Sequence, residues 1–223
     1  MSPDPVIRHL DVQETSRRIA GLSRVLMDCV EGGASVGFMA PLTRERADAF
    51  WLGVKDRVAA GTTELLVAEV DGEVAGTVQL AMAHPDNQPH RADLAKMLVH
   101  RRARKRGVGR ALLTAAEDLA CAKGRTLLVL DTASDDAERL YKSLNWTMVG
   151  RVPGYALLPG GGLCDTIFFY KWLALPAAAD GPPVLSLAPR EVCRAAASST
   201  SLQVQARRPR DITPALERRA AAG

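Results

Sequence analysis

The residues most able to do chemistry are gathered where an apolar stretch, Leu94 to Val99, runs through a basic loop into a helical pattern. Arg101, Arg102, Arg104, Lys105, Arg106 and Arg110 surround Gly107 and Gly109, and Ala111-Leu112-Leu113 follows. The first backbone N–H groups of a helix have no intrahelical acceptor, and the helix dipole adds positive potential there, so this junction suits an anion. Gly107 and Gly109 let the backbone approach that anion without Cβ obstruction. A phosphate or pyrophosphate is the expected ligand. No Lys-Ser or Lys-Thr follows the glycines, which removes the GxxxxGK[ST] loop, and no third glycine completes GxGxxG.

Acidic residues flank this loop in sequence. Asp93 lies on the preceding strand, and Asp131 ends the next one. An amine is nucleophilic only when neutral, and at pH 7 most free amines are protonated, so a carboxylate or a water it holds helps as proton acceptor. Each aspartate also has an ordinary reading, Asp93 as an edge carboxylate and Asp131 as a strand end or helix cap. Phe38, Trp51 and Tyr155 suit either a pocket wall or a packed core. The four cysteines, Cys29, Cys121, Cys164 and Cys193, form no CxxC, and the four histidines show no ligand spacing. We therefore expect neither a disulfide framework nor a metal.

Elements must position these groups. Strands are expected at residues 6–10, 64–70, 73–83, 92–99, 126–131, 146–152 and 166–173. Asp71-Gly72 marks a type I′ hairpin between the second and third. Ile19, Leu22, Leu26 and Val30 recur at helical spacing before Gly32-Gly33. Thr43 is a plausible N-cap for a second helix with Ala47, Phe50 or Trp51, Val54 and Val58 on its stripe. Further helices are expected at 107–123, stopped by Gly124, and at 135–144. The order βααβββαβαββ is α/β in class with a mixed sheet. Residues 1–173 form this domain. Residues 174–223 are an Ala/Pro/Arg-rich tail with no aromatic residue, expected to be disordered apart from a short helix near 215–222.

Composition narrows the function classes. The 223 residues are 47% hydrophobic and 24% charged, as in ordinary globular proteins. No apolar run is long enough for a membrane helix, and the N-terminus lacks a secretory pattern. A cytoplasmic, membrane-free protein is expected. The net charge of +4 lies mostly in the tail, so the main domain is nearly neutral and nucleic acid is an unlikely partner. The sequence leaves monomer and homodimer both open.

Arg104-x-x-Gly107-x-Gly109 matches [Q/R]xxGxG/A, the pyrophosphate loop of the GNAT superfamily of N-acetyltransferases, and the chain resembles that family here. Residues 131–146 resemble the family's strand-5 and helix-4 segment, AxxLYxxxGF, with Ala137, Leu140 and Tyr141 in place. Asn145-Trp146 replaces the usual Gly-Phe, and Ser134 stands where an Asn often contacts pantetheine. A narrower likeness, to the tabtoxin-resistance type within the family, covers 32–39, 130–132, 149–155 and 166–171.

The resemblance implies a mixed central sheet of about seven strands flanked by about four helices. It implies acetyl-CoA as acyl donor, no metal, and direct transfer to a primary amine in a ternary complex. Met97, Leu98 and Val99 would meet the pantetheine. Arg104, Lys105, Arg106, Gly107, Val108, Gly109 and Arg110 would hold the pyrophosphate, with Ser134 and Ala137 nearby. Tyr141 would be the general acid, and Asp131 and Asp93 would assist deprotonation. Ser35, Phe38, Met39 and Tyr155 would line the acceptor pocket. The narrower likeness favours a small, amino-acid-like or antibiotic-like amine over a protein lysine or N-terminus. An acyl-CoA sensor or a nucleic-acid-binding protein are the readings from other classes.

Overall fold

The structure is a computed structural model and describes residues 4–173. The tail over 174–223, its expected disorder and its short helix lie outside the described residues. The chain runs β1 (Val6–Leu10), α1 (Val12–Glu31), α2 (Arg44–Ala59), β2 (Thr63–Val70), β3 (Glu73–Met82), β4 (Arg91–Val99), α3 (Val108–Ala122), β5 (Leu127–Thr132), α4 (Asp135–Ser143), β6 (Thr147–Leu157) and β7 (Leu163–Trp172). A single 3₁₀ turn at Arg101–Ala103 precedes α3. The seven strands form one sheet in the order β1-β2-β3-β4-β5-β7-β6, and only β4 and β5 pair in parallel.

Local chemistry accounts for most boundaries. Asp11 caps α1 in a reciprocal box with Glu14, its Oδ1 accepting from the Glu14 N–H at 2.7 Å. Thr43 caps α2 as expected. Asp71 and Gly72 both have positive φ, 54° and 77°, as a type I′ turn requires. The first helix begins at Val12, ahead of the Ile19 that opens its apolar stripe, because its first turns are polar. One expectation needs correction. β6 continues past Val152 to Leu157. Pro153 and Gly154 read as breakers, but β6 is an edge strand, where a missing N–H is tolerated. The register slips between Val152 and Ala156, and Asp165 accepts from the Gly154 N–H at 3.0 Å.

The two faces of the sheet are covered unequally. On one face, α3 and α4 pack over both halves of the sheet, with Leu66, Val78, Leu80, Leu94, Leu112, Leu128, Leu130, Tyr141 and Phe169 in one core. On the other, α1 and α2 cover only the β1–β4 half, through Leu22, Leu26, Trp51, Leu65, Val67 and Leu98. No residue of β5, β6 or β7 joins that second core. Val129, Phe168 and Tyr170 stay half-buried on the uncovered side.

Candidate active site

A break in the sheet makes the site. β4 pairs with β5 only at Arg91–Leu127, Ala92–Leu128 and Asp93–Val129. β4 continues for six more residues and β5 for three, without pairing to one another. The cause is a bulge: Thr77 faces Leu98 and Gln79 faces Ala95, so Val78 opposes both Lys96 and Met97. Lys96 takes φ 49°. A bulge bends and twists its strand, and one extra residue reverses which side chains face which way. Before it, Ala92 and Leu94 pack beneath α3. After it, Met97 and Val99 do so, while Leu98 joins the α1–α2 core. The backbone beyond Asp93 is left without a strand partner on the β5 side.

The splayed ends of β4 and β5 lead to the start of α3. Gly107 caps that helix at φ 77° with no side-chain cap, a conformation that favours glycine. Gly109 also has a packing role. A Cβ there would meet Leu140 at 3.0 Å and Met97 at 3.3 Å, so the glycine permits close packing of α3 on α4 and β4. Val108 is buried in the core.

The basic run divides. Arg101 donates to Asp28 at 2.9 Å and Glu31 at 2.6 Å, and Arg102 pairs with Glu73, so these two brace the fold rather than add field. Arg104 Nε donates to the Val99 carbonyl at 3.2 Å, and Arg110 reaches Ser143 Oγ at 3.0 Å. Lys105 and Arg106 are exposed and make no hydrogen bond or ion pair among the described residues. Ser134 caps α4, its hydroxyl accepting from the Ala137 N–H at 3.4 Å, so its side chain is already engaged.

On the uncovered face, the splay carries charge. Asp93 is paired with Arg91, which also donates to Gln88 at 2.8 Å. Asp131 has no side-chain hydrogen-bond partner among the described residues. It is open to solvent in the crevice, yet the surrounding walls push its carboxyl up. The Lys96 charge opposes that shift and the Asp93 charge adds to it. Tyr141 is 3% exposed, its ring packed on Trp146 and Phe169. Burial, with a smaller contribution from Asp131, drives its phenol well above the ordinary range. The hydroxyl makes no hydrogen bond among the described residues and is not sealed from solvent. A phenol so placed keeps its proton and can give it to a stronger base.

The expected acceptor residues come from the α1–α2 loop and the end of β6. Ser35 Oγ donates to the Leu157 carbonyl at 3.2 Å, and the Ala40 N–H donates to the Pro159 carbonyl at 2.9 Å. The α1–α2 connection thereby bridges to the β6–β7 hairpin. Phe38 stacks edge-on to Phe50, and Tyr155 edge-on to Phe168, the β7 partner of Asp131. Met39 and Tyr155 are largely exposed, at 41% and 55%. Trp51 belongs to the core; Phe50 is the aromatic residue on the crevice side, facing Lys96. Cys29 is buried, and Cys121 and Cys164 are half-buried. No metal-ligating group occurs among the described residues.

Lys96 escaped the sequence reading. Its Nζ lies 5.8 Å from the Phe50 ring centre, and burial lowers its basicity, with Asp131 opposing and Arg57 adding. The available signal was one lysine inside an otherwise apolar stretch, Leu94-Ala95-Lys96-Met97-Leu98.

The splayed parallel pair, the glycine-capped helix and the α1–α2 bridge form one crevice, and comparison with known proteins gives its class. Residues 34–146 match the model of the Acetyltransferase (GNAT) family, and the chain belongs to that family. It is 32% identical over 130 residues to an uncharacterized N-acetyltransferase in the hisH-hisA intergenic region of Azospirillum brasilense, covering 57% of this chain and 75% of that protein. Two solved structures share the fold. A phosphinothricin acetyltransferase from Sinorhizobium meliloti in complex with acetyl-CoA has TM-score 0.65 at 16% identity, covering 84% of this chain and 97% of that one. A putative acetyltransferase from Salmonella typhimurium, also with acetyl-CoA, has TM-score 0.63 at 23% identity, covering 81% and 100%.

Proposed function

We propose that this chain transfers the acetyl group of acetyl-CoA directly to the primary amine of a small, amino-acid-like molecule. The observation that carries this reading is the bulge at Lys96–Met97, which parts β4 from β5 and leaves strand backbone facing a crevice beside the start of α3. The residues present fit the donor. The backbone of Met97, Leu98 and Val99, which has no strand partner on the β5 side, suits an extended amide-bearing arm. The N-terminus of α3 at Gly107, Val108 and Gly109, with Lys105 and Arg106 unpaired beside it, suits a pyrophosphate. Arg104, Arg110, Ser134 and Ala137 frame that cradle, and three of their side chains are tied to neighbouring elements.

Acetyl-CoA supplies a thioester whose acyl carbon is the electrophile. Asp131 takes a proton from the acceptor ammonium, directly or through a water, while Asp93 is held by Arg91. The amine then attacks, a C–N bond forms, the C–S bond breaks, and the nitrogen releases its second proton to solvent. Tyr141 gives its hydroxyl proton to the departing sulfur and recovers one from solvent. No covalent enzyme intermediate is required. A small acceptor is favoured over a protein lysine or N-terminus because the α1–α2 loop is bonded across to the β6–β7 hairpin, over the acceptor side.

The test is coenzyme release and product mass across amino acids, β-lactam amino acids, aminoglycosides and an N-terminal peptide. A gain of one acetyl group on a small amine supports the reading, and a hit on the β-lactam amino acid adds a resistance role. Acetylation of the peptide alone overturns the small-acceptor assignment. Tight acetyl-CoA binding without turnover on any amine supports a sensor instead.

A further inference from the structure

Two charges stand across the crevice without a counter-ion in contact. Asp131 lies two residues beyond the last β5 residue paired to β4, and Lys96 lies three beyond its β4 counterpart. At strand rise these are roughly 7 Å and 10 Å past the seam, so the two occupy similar heights on opposite walls. Among the described residues, the Lys96 ammonium meets the Phe50 ring and feels Asp131 and Arg57, but it makes no hydrogen bond or ion pair. A Cβ at Gly37 would lie 3.7 Å from Nζ, so the α1–α2 loop passes over it. Next to Lys96, Ala95 pairs in register with Gln79. Gln79 is 4% exposed, and its Nε2 has no partner.

We propose that Lys96 binds a carboxylate on the acceptor, so that the molecule acetylated is a free α-amino acid or an analogue bearing amine and carboxylate close together. This rests on the transfer reading above. A zwitterion satisfies both walls at once, its ammonium toward Asp131 and its carboxylate toward Lys96. A simple amine neutralises Asp131 and leaves a half-buried ammonium uncompensated, which is costly. A peptide N-terminus carries an amide where the carboxylate would be, and a lysine side chain carries nothing there. The lowered basicity of Lys96 agrees, because a bound carboxylate is the partner that would restore its charge.

The test uses acceptor pairs that differ only at the carboxylate: an amino acid, its carboxamide and its decarboxylated amine. For the wild-type chain, the amino acid should be favoured in kcat/KM by roughly 10- to 100-fold, the range of a charge-assisted hydrogen bond, and mostly through KM. Lys96→Met should collapse that ratio by raising KM for the carboxylated member, and Lys96→Arg should restore part of it. An equal fall for both members of each pair overturns the proposal and makes Lys96 a general participant in proton transfer. Direct titration with N-acetyl amino acids and N-acetyl amines, in the presence of CoA, gives a readout independent of turnover. Carboxylate-dependent binding that Lys96→Met removes upholds the site even if no amine is acetylated, in which case the transfer reading alone falls. Binding without carboxylate preference, or none across the panel, overturns it.

Discussion

The junction at the start of α3 and the crevice between β4 and β5 are adjacent, yet they are built from different materials. The junction is made of backbone: a left-handed Gly107, unbonded helix N–H groups and a packing glycine at 109. The crevice is made of side chains: Asp93 and Lys96 on β4, Asp131 on β5 and Tyr141 on α4. Under the proposed function, the junction, with Lys105 and Arg106 beside it, would meet what all acyl-CoA donors share, and the crevice side chains would meet what differs between acceptors. One fold can therefore keep its donor and change its acceptor with few substitutions.

The sharpest way to test that division is Tyr141→Phe. The ring contacts with Trp146 and Phe169 survive, so stability should hold while kcat falls about 10²- to 10⁴-fold, the usual range for a lost general acid. Steady-state kinetics with a thermal melt checks both halves. Next, Lys105→Gln with Arg106→Gln should raise the KM for acetyl-CoA roughly tenfold at low salt, with little effect on acceptor KM. A matching rise in acceptor KM would break the division. Arg101→Ala is the control, because its partners are Asp28 and Glu31, and donor KM should not move.

Smaller effects concern stability. Gly107→Ala places a Cβ at φ 77°, which costs about 1–2 kcal/mol and should lower the urea midpoint without any new clash. Asp131→Asn should act in the opposite direction. The Asp131 carboxyl is pushed up in the folded chain, so its ionised form destabilises the fold above that raised pKa, and the penalty vanishes below the ordinary carboxylate range. The Asn variant should therefore melt slightly higher at pH 7, with the difference closing toward pH 3, while its acetyl transfer falls. A pH series of melting curves decides it.

The same division explains what the sequence disclosed. The donor loop was legible because backbone requirements leave glycines at fixed spacing and an amphipathic pattern on either side. Tyr141 was legible through the segment around it. Asp93 and Asp131 were found as a pair, but not that Arg91 occupies one and leaves the other unpartnered. Lys96 was hidden because its position depends on the bulge. An extra residue in one strand is visible only against its neighbour, and β3 and β4 had to be aligned first. The basic run was over-read for a related reason: charge is local in sequence, while the partners of Arg101 and Arg102 are about 30 to 70 residues away.

Three residue pairs join the two halves of the sheet, whereas β5 and β7 share six and β2 and β3 eight. Mechanically the β4–β5 seam is the compliant joint of the molecule. The α3–α4 layer straps it on one face, and among the described residues no helix bridges it on the other, so bending there opens one way only. Under the proposed function, a donor lying along both strand ends would act as a splint across that joint. Amide hydrogen exchange along Leu94–Val99 and Val129–Thr132 should be fast in the free chain and slow once acetyl-CoA is added, while exchange in the β2–β3 hairpin stays the same.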